Sequence, residues 1–145
     1  IVGDPVMDLP THPDVLGTGF VPEQEKLDAI AACTAFLQPS YFESFSMALT
    51  EAWALQRPAL VQGRCAVLAG QAIRSGGALV YNGFAEFEVA IDILLNDPPL
   101  ATRLASNGRA YVEKNYEWGP LMQRYERLLD KVIDAFAQRP NQFLP

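Results

Sequence analysis

The chain has 145 residues, which at roughly 100 to 200 residues per domain is about one domain and excludes a large multidomain machine. Its residues are 50% hydrophobic and 19% charged, the balance of a soluble globular chain with a buried interior rather than of a disordered one. Eleven basic against seventeen acidic residues leave a formal charge of −6 with no Lys/Arg run, which disfavours a grip on nucleic acid phosphates or on an anionic membrane, and no apolar stretch approaches the ~20 residues needed to span a bilayer.

Taken in order, short apolar runs alternate with longer helical patterns, the rhythm of an α/β chain with a parallel sheet flanked by helices. Ile1-Val2-Gly3 reads as the end of a strand, with neither an initiator Met nor a basic leader before it, so the chain begins as though inside a domain. A Pro-rich loop runs to Pro13, and Val15-Leu16-Gly17-Thr18-Gly19 reads as a short edge strand. Pro22 suits a first helical turn, and Glu23 and Glu25 complement the dipole of a helix through Leu27, Ile30 and Ala31. Thr34 to Gln38 is expected as a buried strand, Ser46 to Leu55 as a helix apolar almost all round, and Ala59-Leu60-Val61 as the next strand. A helix from Cys65 to Ile73 closed by Ser75-Gly76-Gly77 leads to a last strand, Ala78 to Tyr81. From there the chain reads as helical: Phe84 to Leu95, Leu100 to Lys114 and Trp118 to Phe136. The sequence thus divides into an alternating part, residues 1–81, and a mainly helical part, residues 82–145, of one domain. In the last helix Leu121, Met122, Tyr125, Leu128, Leu129, Val132, Ile133 and Phe136 form an apolar stripe, which either packs on the sheet or docks on another domain or subunit.

Two cysteines, Cys33 and Cys65, are too few for a disulfide framework and lack metal-ligand spacing, and the single histidine, His12, is expected in a loop between Pro10 and Pro13. The expectation is a reduced, cytoplasmic, metal-free protein.

In an open parallel sheet the ligand sits at the carboxyl ends of the strands, where loops enter helix N-termini. The richest such loop is Pro39-Ser40-Tyr41-Phe42-Glu43-Ser44-Phe45-Ser46. Its small Ser44 and Ser46 allow close approach to the backbone, and the first N–H groups of the following helix suit an anion. Glu43 and Glu51 bracket this site eight positions apart, about 80° around and about 12 Å along one continuous helix. They are therefore not an adjacent acid–base pair, but could reach two ends of an elongated ligand. Glu51 could accept hydrogen bonds from neutral sugar hydroxyls or be held by the helix dipole and an arginine; Glu43 could equally be a loop residue near the cap. Arg64, in the loop after the next strand, could neutralise a phosphate or be an exposed charge.

The segment Pro39 to Ala52 resembles the E-x7-E region of retaining, nucleotide-sugar-dependent glycosyltransferases with the GT-B architecture of two Rossmann-like domains. The order of other segments agrees: Ile1-Val2-Gly3-Asp4, Gly19-Phe20-Val21-Pro22, Arg57-Pro58-Ala59-Leu60-Val61, Glu86-Phe87, Asn96-Asp97-Pro98 and Asn115-Tyr116-Glu117-Trp118. The resemblance implies that Glu51 takes the donor's ribose hydroxyls and that Glu43 faces the transferred sugar as the catalytic carboxylate. Backbone groups around Ser44, Phe45, Ser46 and Met47 would hold a diphosphate, and Phe20 and Val21 would border the base. The family commonly carries glycine where this chain has Ser44 and Ser46. By the same resemblance the chain is most of a donor-binding domain, lacking a preceding strand-loop-helix unit with its Arg and Lys and an N-terminal acceptor domain. The isolated chain is then expected to lack robust activity. The resemblance further implies a nucleotide sugar as partner, no obligatory metal and no cofactor, and a cytoplasmic or membrane-peripheral enzyme. A non-catalytic Rossmann-like binding or assembly module is the alternative; a related sugar phosphorylase would call for a pyridoxal attachment site, of which the sequence offers no convincing example.

Overall fold

A computed structural model describes residues 1–4 and 7–137. Pro5 and Val6 of the Pro-rich stretch and residues 138–145 of the helical part lie outside the described residues.

The sheet is built on β2 (Ala59–Gln62), all four of whose residues are buried. Such a strand, apolar on both faces, belongs at the centre of a parallel sheet. It pairs in parallel with β1 (Phe36–Gln38) on one side and β3 (Ala78–Tyr81) on the other. Successive residues of β2 point to opposite faces and so seed two cores. Ala59 and Val61 pack with Leu49, Trp53, Cys65, Leu68 and Ala72, from α2 (Met47–Ala54) and from the segment leading into and along α3 (Ala66–Ser75). Leu60 packs with Ala90, Leu94 and Leu104, from α4 (Phe84–Asn96) and α5 (Pro98–Tyr116). The expected α/β architecture, a parallel sheet flanked by helices, is the one observed.

Three local differences from the sequence reading have physical causes. First, neither Ile1–Gly3 nor Val15–Gly19 forms a strand. The two segments meet in one antiparallel bridge, Gly3 with Gly19, and both glycines have positive φ, 108° and 65°, which interrupts an extended ladder. Second, Pro22 is the cap residue before α1 (Glu23–Ala32), because its extended ψ of 152° leaves it outside the first turn. Third, α5 begins at Pro98, with both prolines at positions whose N–H groups a helix does not need, and Asp97 accepts a hydrogen bond from Leu100 N at 2.9 Å.

The last helix, α6 (Trp118–Ala137), buries none of its residues. It rests against the end of α5, where Arg124 donates to the Asn115 carbonyl, and does not cover the sheet.

Candidate functional site

Strand β1 ends at Gln38, and the chain then crosses the carboxyl end of the sheet in the loop 39–46 before entering α2. The side chain of that last strand residue sets the first carboxylate. Gln38 Nε2 donates to Glu43 Oε1 at 2.6 Å, holding the half-buried Glu43 over the strand end.

Two later elements seat the rest of the loop. The buried Gln71 of α3 donates through Nε2 to the Phe45 carbonyl. The Phe45 ring stands edge-on to Tyr116, at the end of α5, with centroids 5.1 Å apart and planes at 87°. Tyr116 in turn shares a 3.1 Å hydroxyl contact with Tyr111, to which Arg74 donates at 3.3 Å. Burial and the bond to Tyr111 push the Tyr116 hydroxyl up to about 12. Burial also raises Tyr111, but the bonds it accepts from Tyr116 and Arg74 outweigh this and leave it below the ordinary tyrosine value.

Ser46 is the cap residue of α2, yet its side chain makes no capping bond. It sits in the left-handed region at φ 65° and ψ 77°, a conformation that costs a non-glycine residue roughly 1–2 kcal/mol. Its Oγ is buried and has no hydrogen-bond partner among the described residues. The helix therefore presents its first-turn N–H groups at the carboxyl end of the sheet without a side-chain acceptor, the arrangement that suits an anionic ligand.

Beside this helix end lies an open groove of about 520 Å³, bordered by Phe42, Glu43 and Ser44 from the β1–α2 loop and by Arg64 and Cys65 from the β2–α3 loop. Of the residues singled out from sequence, the groove brings together Glu43, Ser44 and Arg64. The Arg64 side chain is exposed and forms no ion pair among the described residues, while its N–H donates to Gln62 Oε1 at 3.1 Å. Ser46 and Phe45 adjoin in sequence but do not line the groove, and Met47 points to solvent.

Glu51 lies on a different side, toward α1. Its Oε1 is 2.9 Å from Lys26 Nζ, which also pairs with Glu23 at 2.9 Å. These two carboxylates, Glu23 first, raise the Lys26 ammonium above its ordinary pKa. Phe20 and Val21 lead into the same helix; Phe20 is 86% exposed and Val21 is half-buried. Sequence reasoning missed Gln38, Gln71 and Lys26. The available signal for Gln38 was a polar side chain closing an otherwise buried strand directly before the loop; for Gln71 and Lys26 the partner is set only by helix packing.

Among the described residues no group of three or more His, Cys, Asp or Glu is placed to hold a metal ion, and no helix is long and apolar enough to cross a membrane.

Two solved structures are similar to this chain. One is sucrose-phosphate synthase from Thermosynechococcus elongatus, at TM-score 0.69 and 24% identity over 83% of this chain and 30% of that one. The other is WaaG, a glycosyltransferase involved in lipopolysaccharide biosynthesis, at TM-score 0.61 and 20% identity over 77% of this chain and 30% of that one. At these identities the likeness is one of fold, and the chain spans 30% of the length of each. The family model for glycosyl transferases group 1 matches residues 8–111, which contain the groove, the α2 N-terminus and both glutamates. A match over that much of the sequence, on this sheet and with these helices, means that the chain belongs to the glycosyl transferases group 1 family.

Proposed function

We propose that residues 1–145 form one nucleotide-sugar-binding domain of a larger cytoplasmic glycosyltransferase that transfers a sugar with retained configuration. The observation that carries this reading is that Glu43 and Arg64 border one groove, while the loop bearing Glu43 runs directly into the uncapped N-terminus of α2. A diphosphate at the helix end would receive backbone N–H bonds and the Arg64 charge, and Glu43 would face the sugar attached to it. The same donors would stabilise the diphosphate as it departs, when its charge grows. Glu51 would take the ribose hydroxyls, with Phe20 and Val21 bordering the base. No metal or further cofactor is part of the proposal. The N-terminal domain holding the acceptor would complete the cleft, and the isolated chain would turn over negligibly.

The test is an amide-shift titration of the chain with a panel of nucleoside diphosphates and nucleotide sugars. Shifts clustered at Phe20, Ser46 and Glu51 are expected; a folded chain that responds to none of the panel overturns the donor-site reading. Robust transfer to an acceptor by these 145 residues alone would overturn the proposed dependence on a second domain.

A second reading, a binding or assembly module without a working donor site, draws on two observations. The apolar stripe of α6 is exposed from Leu121 to Ile133, and Glu51 already has a cationic partner. The same titration separates the two readings.

A further inference from the structure

We propose that Lys26 is a positioning residue that anchors one oxygen of Glu51, leaving the other to select neutral ribose hydroxyls over an anionic substituent. The assignment rests on the donor-site reading above and adds a residue to it.

Glu51 is the single charged residue of α2, a helix otherwise made of Met, Ala, Leu, Thr and Trp. Its side chain is 22% exposed and that of Lys26 29% exposed, so both groups are partly withdrawn from water. Lys26 is itself fixed from its own helix, since Glu23 lies one turn earlier and reaches the same Nζ. The order of constraint therefore runs from Glu23 to Lys26 to Glu51.

The ammonium contact on Glu51 goes to Oε1. Oε2 accepts no hydrogen bond among the described residues, and a carboxylate oxygen held beside apolar neighbours gains most from added donors. The two carboxylates and one ammonium leave one net negative charge on the cluster. Vicinal hydroxyls can donate to such an acceptor without bringing a counter-charge, whereas a 2′-phosphate would be repelled. A second cation beside Lys26 would have neutralised the cluster and removed that preference. Lys26 thus supplies orientation without cancelling the acceptor's charge.

The test measures binding by calorimetry to the complete chain, using UDP, GDP and ADP and the 2′,3′-dideoxy counterpart of whichever binds best. Lys26→Met should weaken the ribo form about tenfold, the scale of a lost charge-assisted orientation, while changing the dideoxy form less than about twofold. Lys26→Arg, which keeps the single positive charge, should keep the preference for the ribo form. Circular dichroism and the urea midpoint establish that each variant is folded, as the partial exposure of both partners leads one to expect. If Lys26→Met keeps the full preference for the ribo form, or loses both forms equally, the positioning role is overturned while the donor site stands. If the unsubstituted chain binds none of the three diphosphates, the donor-site reading fails and this assignment falls with it.

Discussion

Gly108 of α5 lies against the indole of Trp53, so close that a Cβ built on it would stand 2.2 Å from Trp53 Cδ1. The indole is fixed from the other side, because Trp53 Nε1 donates to the Gly77 carbonyl at 2.9 Å and Gly77 itself abuts Gly108. In an exposed helix interior, exchanging glycine for alanine would gain about 1 kcal/mol. Here overpacking should dominate, and Gly108→Ala should lower stability by about 1–3 kcal/mol in urea unfolding. A stability equal to or above that of the unsubstituted chain would mean that the indole can move aside.

Ser46 combines a left-handed backbone with a buried, unpartnered hydroxyl. Glycine removes both costs at the expense of a more flexible unfolded chain, about 0.4–1 kcal/mol. Ser46→Gly should therefore stabilise the protein by about 1 kcal/mol. Thermal unfolding checks this, and a lowered Tm would show that the serine side chain contributes an interaction that its position does not reveal.

The tyrosine pair under the site gives an alkaline signature. Burial and the bond to Tyr111 push the Tyr116 hydroxyl up to about 12 in the folded chain, against its ordinary 10 when unfolded. Its contribution is thus complete below pH ~10 and lost as pH rises toward ~12, because the unfolded chain releases its proton first. Tyr111 is shifted the other way and cancels part of the effect. Stability measured between pH 9 and pH 12 should fall more steeply for the unsubstituted chain than for Tyr116→Phe. Parallel pH profiles would contradict the arrangement.

At the site, Glu43→Gln keeps the size of the side chain and an oxygen able to accept from Gln38. The fold should be unaffected, nucleoside diphosphate binding retained, and the extra affinity contributed by an attached sugar lost. Arg64→Ala should weaken a diphosphate by up to about tenfold while leaving binding of the matching nucleoside unchanged. Calorimetry with the nucleoside, its diphosphate and its sugar diphosphate resolves both effects; equal losses for all three ligands would point to a disturbed fold.

Much of this was legible from the sequence because periodicity reports burial directly. The wholly apolar run Ala59-Leu60-Val61 reads as a strand and the apolar residues after Ser46 as a buried helix, and both elements are present. The loop from Pro39 to Ser46 was equally visible, since its position between those two elements fixes it at the carboxyl end of the sheet. What the sequence hid were distances across the fold. Lys26 meets Glu51 and Gln71 meets Phe45 only once the helices have packed, the partners being 25 and 26 positions apart in the chain. The strands expected at Ile1–Gly3 and Val15–Gly19 fail on a local point: apolar residues suggest extension, but Gly3 and Gly19 take positive φ and the segments meet only in one bridge.

The anchoring of Phe45 also orders events in time. Both of its anchors, Gln71 and Tyr116, lie downstream of it. During vectorial synthesis Phe45 emerges before either anchor and has neither until α3, and then the end of α5, leave the ribosome. A nascent chain arrested before Tyr116 can pair β1 with β2, yet it lacks the aromatic contact that seats the loop between them. The loop around Phe45 is therefore seated only after segments synthesised later than itself.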